Sequence, residues 1–156
     1  MGVGLLAPVP AIFMRSAMNT CAERGTVAFG TNAFEVFAKL DEQYGEGMPV
    51  LICPTGQHGD PDRVCTPGFA SFRAVYRRTQ QAWRGKHPTP AFRPAATVEG
   101  DQQDSTWAVF WEVSSLIQLP IANRIPIAKL TAEGKKRALP FGFVLHGPTL
   151  VTAPFL

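Results

Sequence analysis

Trp107-Ala108-Val109-Phe110-Trp111-Glu112-Val113 is the stretch of sequence that decides the fold. Aromatic and β-branched residues dominate it and a polar loop precedes it, which together predict a β-strand. Because side chains alternate between the two faces of a strand, Trp107 and Trp111 share a face with Val109 and Val113. We expect Trp111 to pack in the core and Trp107, at the mouth of the strand, to line a pocket.

The sequence on either side of this strand predicts further short strands. Between residues 68 and 77, Ala70, Phe72, Ala74 and Tyr76 alternate with other side chains, which is the pattern of a half-buried strand. Shorter extended segments are predicted at residues 11–15, 26–30, 49–53, 125–130 and 143–145. Many short strands separated by turns favour a small β-barrel with one or two helices packed on it, an α+β fold.

The clearest helix follows the segment at residues 26–30. Asn32 is suited to cap its N-terminus, with Glu35 three residues later as in a capping box. Phe37 and Leu40 then fall on one face of the helix, and Gly45 is suited to end it.

Composition places this chain among globular proteins. Its 156 residues are enough for one domain, residues 1–156, with a core that needs no disulfides or metal. The first residues lack positive charge and contain Pro8 and Pro10, so we expect neither a secretion signal nor a membrane span there. The odd number of cysteines, Cys21, Cys53 and Cys65, is typical of reduced thiols, which predicts a cytoplasmic protein without a membrane partner.

Positive charge is concentrated in one segment. Residues 63–93 hold seven of the fifteen Lys and Arg residues, and no Asp or Glu lies between Asp62 and Glu99. A locally basic surface with an aromatic side chain is typical of proteins that bind single-stranded nucleic acid. The candidates for phosphate contacts are Arg73, Arg77, Arg78, Arg84 and Lys86. The alternative is a solvated loop whose charge has no ligand.

Trp83 is the aromatic residue inside this basic segment. Polar and charged residues surround it in the sequence, which is unusual for a core residue. We therefore predict that it stacks on a nucleic-acid base. The alternative is that it folds back and plugs one end of the barrel.

Four motifs, in their order along the chain, resemble those of EVE domains. Tyr44-Gly45-Glu46-Gly47-Met48-Pro49-Val50-Leu51-Ile52 resembles their G-D-x-V-L strand, and Thr66-Pro67-Gly68-Phe69-Ala70 resembles the start of their next strand. Residues 107–113 are similar to their W-x-x-V-x-V strand, and residues 124–130 to the I-P-L-x-x-L that follows. Arg15-Ser16 and residues 26–31 also resemble stretches of the related YTH domains.

This resemblance implies a PUA-like β-pseudobarrel of five to six strands with one or two packed helices. It further implies recognition rather than catalysis, with no cofactor. EVE and YTH domains bind a modified base that is flipped out of duplex DNA or presented by single-stranded RNA. The Ala-, Pro- and Arg-rich composition looks bacterial, where related domains often recognise modified DNA. We therefore expect a partner of DNA or RNA with a modified base, and a modified cytosine in DNA first.

The resemblance also implies where the base pocket lies. In the related domains the junction between strand and first helix faces the pocket, and the residues after the first strand are its neighbours. The candidate pocket residues are Arg15, Ser16, Asn19, Phe29, Thr31, Asn32, His58, Trp83 and Trp107. Asn and Ser offer the donors and acceptors that a base edge requires. Asn32 has the alternative role of helix cap.

A metal site is the next possibility raised by the sequence. Cys53, His58 and Cys65 lie around one turn-rich loop, and a fourth ligand, His87, would come from a distant one. Their spacing fits none of the common zinc motifs, so we expect no metal.

Two other functions stay open at this point. Some ASCH domains resemble small metal-independent ribonucleases, and Lys86, His87, Arg84 and Tyr76 could supply the acid, base and phosphate contacts of such an enzyme. The sequence has no G-x-S-x-G, P-loop or H-E-x-x-H motif, and we expect no enzyme. The second alternative is a protein-interaction module that uses the apolar residues 150–156.

Overall fold

The computed structural model describes residues 2–56, 64–99, 106–140 and 145–156. The described residues form three α-helices, α1 (Met14–Arg24), α2 (Phe34–Gln43) and α3 (Ala95–Glu99). They also form nine strands, namely β1 (Gly2–Pro10), β2 (Val27–Thr31), β3 (Pro49–Thr55), β4 (Phe69–Ala70), β5 (Phe72–Gln81), β6 (Val109–Gln118), β7 (Ile125–Pro126), β8 (Thr131–Ala132) and β9 (Thr149–Ala153).

Seven of these strands form one mixed sheet in the order β2-β6-β5-β3-β1-β9-β8, and β4 pairs with β7 separately. β1 runs parallel to β3, and the other neighbours in the sheet are antiparallel. The predicted α+β class is confirmed, with more strands than the expected five to six and three α-helices where one or two were expected. In the described part of the chain, the end strands β2 and β8 do not pair with each other, so the sheet is not closed into the predicted β-barrel.

The prediction of a first strand at residues 11–15 is wrong. The first strand is β1, and residues 11–24 form a short 3-10 turn followed by α1. Pro8 and Pro10 suggested a break, yet both lie where β1 pairs only with β3, because β9 reaches only as far as Leu6. A residue without an N–H is tolerated where a strand has a neighbour on one side only. Met14 and Cys21 are buried at helical spacing, which places one face of α1 on the sheet.

Most other predicted strands are confirmed, at residues 26–30, 49–53 and 68–77. The strand predicted at residues 107–113 is β6, which begins at Val109 rather than at Trp107. The predicted helix is α2, but its N-cap is Ala33 and no side chain caps it. The predicted segment at residues 125–130 holds the short strand β7 followed by a 3-10 turn. Phe143 and Val144, in the last predicted segment, lie outside the described residues.

The core has two parts, one on each face of the sheet. The larger part lies under α1 and α2, where the fully buried side chains include Phe37, Tyr76 and Trp111. The smaller part lies on the other face and contains Leu51 and Leu130. Trp111 is therefore a packing residue, as the sequence predicted. Its ring stacks on Phe37 with 5.7 Å between the ring centroids.

The apolar C-terminal residues belong to the sheet. β9 lies between β1 and β8, and Leu150, Val151 and Ala153 are buried there. These three side chains are therefore not exposed for the partner protein that the interaction-module alternative requires. Separately, none of the helices in the described ranges combines the length and the apolarity needed to cross a membrane.

Candidate functional site

An aromatic cavity opens where the end of β1 meets β2 and the beginning of β6. Its volume is about 120 Å³. The described residues that form its walls include Pro8, Pro10, Phe13, Phe29, Trp107 and Trp111. We refer to it as the aromatic cavity. A short 3-10 turn carries Phe13 and the strands carry the other rings except Trp107, which precedes β6, so a rigid scaffold holds the walls.

Trp107 forms one wall because its ring lies against the backbone of Gly30. A Cβ atom on Gly30 would stand 2.5 Å from Cδ1 and Cγ of the indole and 2.7 Å from Cδ2. These similar distances mean that a face of the ring covers Gly30. The backbone N–H of Trp107 donates to the carbonyl of Gly85 at 3.0 Å. The backbone N–H of the next residue, Ala108, donates to Oδ1 of Asn32 at 3.0 Å. Hydrogen bonds therefore hold the backbone at both Trp107 and Ala108.

Phe29 and Trp111 form the aromatic floor of the cavity. Their ring centroids lie 4.8 Å apart with an interplanar angle of 38°. Both rings are nearly inaccessible to solvent except at the cavity, since Phe29 is 5% and Trp111 2% exposed. Tilted and offset arrangements of this kind are the favoured geometry of aromatic pairs.

Arg93 supplies the charged group of the cavity. One Nη atom donates to the carbonyl of Ala28 in the end strand β2 at 2.8 Å, and the guanidinium lies 5.0 Å from the centroid of Phe110. Burial lowers the pKa of Arg93 to about 10, so the group stays charged at neutral pH. A guanidinium has five N–H donors. In the described contacts only one atom of the group is engaged, which leaves donors for a ligand.

Of the predicted pocket residues, Phe29 and Trp107 line the aromatic cavity. Thr31 and Asn32 lie beside it but have structural partners. Oγ1 of Thr31 accepts a hydrogen bond from the Ala33 backbone at 3.0 Å, and the Asn32 amide oxygen holds Ala108. Both therefore shape the junction between β2 and α2.

The structure does not bring Arg15, Ser16 and Asn19 to the aromatic cavity. They lie on α1, where Arg15 and Asn19 border a different hollow of about 380 Å³. Oγ of Ser16 accepts a hydrogen bond from the backbone of Ala96 at 3.0 Å. The prediction assumed that these residues follow a strand. Because they lie in α1 instead, successive side chains point in different directions around the helix axis. His58, also a predicted pocket residue, lies outside the described residues.

Trp83 does not line the cavity either. It stands in a tight hairpin at the end of β5 and is 65% exposed. The alternative in which it plugs the barrel is therefore wrong. Its neighbours Arg84 and Lys86 are exposed as well.

The five predicted phosphate contacts differ in how they are engaged. Arg77 is bound to protein groups: Nη1 lies 2.6 Å from Oε1 of Glu46, and Nε donates to Ser114 at 2.7 Å. Nε of Arg78 lies 3.8 Å from a carboxylate oxygen of Glu112, although its side chain is 67% exposed. Arg73 is exposed on β5, and the two cations of the hairpin, Arg84 and Lys86, are exposed beside Trp83.

Glu112 and His87 form a buried polar network on the opposite face of β6. Nδ1 of His87 accepts a hydrogen bond from the backbone of Thr89, so Nε2 carries the proton and donates to Glu112 at 3.2 Å. Gln80 donates to the same carboxylate oxygen at 2.5 Å. Burial alone raises the pKa of Glu112, but the hydrogen bonds from His87 and Gln80 outweigh it and lower that pKa.

The four residues of the ribonuclease alternative are not presented together. Tyr76 is fully buried, and its hydroxyl donates to Asp41 at 2.5 Å. His87 is buried with Glu112, whereas Arg84 and Lys86 are exposed in the hairpin. A phosphodiester that contacts the exposed pair therefore has no access to the buried pair in this structure.

Cys53 and Cys65, two of the possible metal ligands, do not line the aromatic cavity. Sγ of Cys65 lies 3.2 Å from the carbonyl of Pro54. Burial, with a smaller contribution from Cys65, raises the pKa of the Cys53 thiol to about 12. Within the described ranges, no three His, Cys, Asp or Glu side chains come together as a metal site. His87 belongs to the Glu112 network.

Sequence reasoning missed Arg93, Phe13 and Gly30. Arg93 is the last cation of the acid-free segment between Asp62 and Glu99, which was a usable signal, but it lies in a proline-containing stretch that the sequence patterns assign to a loop. Gly30 carries no side chain that could suggest a role. The sequence matches no protein-family model and no curated protein.

Proposed function

We propose that this protein binds nucleic acid and holds one modified base, a pyrimidine, in the aromatic cavity. The observation that carries this proposal is a flat aromatic wall, Trp107 against Gly30, in the same cavity as the half-buried cation Arg93. Aromatic faces stack on bases, and guanidinium groups donate to the oxygen and nitrogen acceptors of base edges. The two features together fit a planar heterocycle that carries acceptors.

The size of the cavity supports a single ring. Its volume of about 120 Å³ is close to the ~150 Å³ of an apolar protein cavity that admits benzene. The cavity is therefore of a size that suits a single ring such as a pyrimidine. None of the described residues that line the cavity is acidic, so its polar groups suit a ligand that accepts hydrogen bonds.

The surroundings of the cavity support a nucleic acid as the source of that ring. The hairpin with Arg84 and Lys86 is joined to the Trp107 wall by the hydrogen bond from Trp107 to Gly85. Cations beside the cavity suit the phosphates that flank a base. A paired base has to leave the duplex to enter, so the ligand is a flipped base or a single strand.

The resemblance to EVE domains agrees with this function. We infer that the sheet and its helices form a PUA-like domain of the EVE type. The motifs at residues 44–52 and 107–113 that carry the resemblance correspond to strands β3 and β6, next to β1 and β2 respectively in the sheet.

Fluorescence anisotropy with labelled single-stranded oligonucleotides tests the proposal. We expect tighter binding to an oligonucleotide with a 5-substituted cytosine than to its unmodified counterpart, and weaker binding as salt concentration rises. Trp107→Leu keeps an apolar side chain but removes the flat ring, so affinity should fall at least tenfold at a similar melting temperature.

Phe34→Leu is the matched control, since Phe34 is a 54% exposed aromatic residue on α2 that does not line the cavity. It should bind like the wild type. Equal affinity of Trp107→Leu and wild type for the modified oligonucleotide would contradict the proposal, as would binding of neither oligonucleotide.

A further inference from the structure

The hairpin after β5 has a rigid tip. Trp83 and Lys86 exchange two backbone hydrogen bonds, of 2.8 and 3.0 Å, around Arg84 and Gly85. Both turn residues have positive φ, 52° for Arg84 and 78° for Gly85, which is the geometry of a two-residue type I′ turn. Positive φ is uncommon for a residue with a side chain. The tip therefore holds Arg84 in one defined position.

The tip is also fixed to the wall of the aromatic cavity. The carbonyl of Gly85 accepts the hydrogen bond from Trp107, and the backbone of Ala82 donates to Ala108 at 3.2 Å. A Cβ atom on Gly85 would stand 2.6 Å from Cβ of Thr106. The hairpin and the residues that lead into β6 are thus in close contact, which keeps Trp83 at a constant distance from the cavity.

The hairpin presents an aromatic ring together with cations. The guanidinium carbon of Arg84 lies 4.7 Å from the centroid of the Trp83 ring, a cation–π contact. Trp83 nevertheless remains 65% exposed, so a second planar group has room to stack against it. Burial of such a ring by a ligand is favourable, whereas its exposure in the free protein contributes nothing to folding.

The charge around this ring selects the kind of partner. Arg84 and Lys86 are exposed at the tip, Arg78 is exposed further along β5, and the sequence has no acidic residue between Asp62 and Glu99. An aromatic ring surrounded by cations suits a strand of stacked bases and phosphates. A nucleic acid is therefore a better fit than an apolar surface of a partner protein.

We propose that Trp83 is a second base-binding site, which stacks on the nucleotide next to the one held in the aromatic cavity. Arg84 and Lys86 then contact the phosphates on either side of that nucleotide. This inference rests on the proposed function and adds to it a defined partner, a single-stranded segment of at least two nucleotides. Trp83 and Trp107 would bind successive bases of the same strand.

Binding of 5-methylcytidine monophosphate and of a trinucleotide with the same base at its centre tests this inference. We expect the wild type to bind the trinucleotide about 5- to 150-fold more tightly, the range for stacking of one further base. Trp83→Ala should remove most of that gain and leave affinity for the mononucleotide unchanged. Trp83→Phe, which keeps a stacking ring, should retain most of it.

Ile121→Ala is the control for loss of an exposed apolar side chain, since Ile121 is 76% exposed, and it should retain the full gain. If Trp83→Ala also retains the full gain, the second site is overturned while the cavity stands. If Trp107→Leu leaves mononucleotide affinity unchanged, the proposed function fails instead. A wild type that binds both ligands equally would also overturn the second site and favour a partner protein for the hairpin.

Discussion

The ring of Trp107 occupies the space in which Gly30 would carry a side chain. A Cβ atom there would lie 2.5 Å from two atoms of the indole, far inside van der Waals contact. Gly30 is not among the glycines with positive φ, so its backbone would accept another residue. The requirement for glycine comes from the neighbouring ring. One wall of the cavity therefore depends on a missing side chain in β2.

Gly30→Ala is expected to displace Trp107 and weaken oligonucleotide binding at least fivefold. The added methyl group overlaps the indole, and overpacking of this kind costs about 1–3 kcal/mol of stability. Anisotropy titration and urea denaturation measure the two effects. Gly147→Ala is the matched control, because nothing lies within 4 Å of its Cβ position and its φ is not positive. Equal behaviour of both variants would contradict this account of the wall.

Arg93→Lys is expected to lower affinity for the modified oligonucleotide about tenfold. Lysine keeps the charge but loses the planar set of donors that reaches Ala28 and the cavity together. Arg137→Lys changes an exposed arginine and serves as the control in the same titration. Unchanged affinity of Arg93→Lys would show that charge alone is needed at this position.

Glu112→Gln should make the free energy of unfolding less dependent on pH in the acidic range. The folded protein lowers the pKa of Glu112, so the carboxylate stabilises the fold above its unfolded pKa of about 4.3 and this contribution is lost as pH falls through the folded value. The free energy of unfolding of the variant should be about 1–3 kcal/mol below that of the wild type at pH 7, and the difference should be smaller at pH 3. Urea denaturation at both pH values measures this, with exposed Glu42→Gln as control. A loss of the same size at both pH values would contradict it.

Tyr76→Phe tests the alkaline limit of stability. Burial and the hydrogen bond to Asp41 raise the pKa of Tyr76 above its ordinary value. The unfolded chain then releases this proton at lower pH than the folded protein does, so stability falls as pH rises above about 10. We expect the variant to lose about 1 kcal/mol at pH 7 and to show a flatter decline between pH 9 and 11. Urea denaturation at several pH values measures this decline. If the free energy of unfolding falls equally steeply with pH in the variant and the wild type, the assignment is contradicted.

The elements that the sequence predicts well have a strong local pattern of apolar residues. β5 alternates between buried and more exposed positions, and α2 repeats apolar residues at helical spacing, so local pattern and tertiary packing agree. β6 is buried at each of its first six positions and is recognisable instead by its aromatic and β-branched residues. β1 is different, since it is apolar on both faces and contains Pro8 and Pro10. Its place between β3 and β9 depends on pairing with residues some 45 and 145 positions away, which local pattern does not contain.

The same distinction applies to the candidate site. Phe29 and Trp107 were predictable because one lies before the first recognisable helix and the other at the mouth of the clearest strand. Arg93 reaches Ala28 across 65 residues of sequence, so only the folded chain reveals that contact. Arg15 and Asn19 were assigned to the pocket because residues 11–15 resembled a strand, and the error in that element carried over to its side chains.

The two prolines of β1 have a consequence for the behaviour of the molecule in concentrated solution. Beyond Leu6, the side of β1 that faces away from β3 has no neighbouring strand in the described part of the chain. An unpaired strand edge of this kind can pair with a strand of a second molecule, which begins aggregation. Pro8 and Pro10 have no N–H to donate to such a strand, so the two residues that border the cavity also protect this edge from pairing.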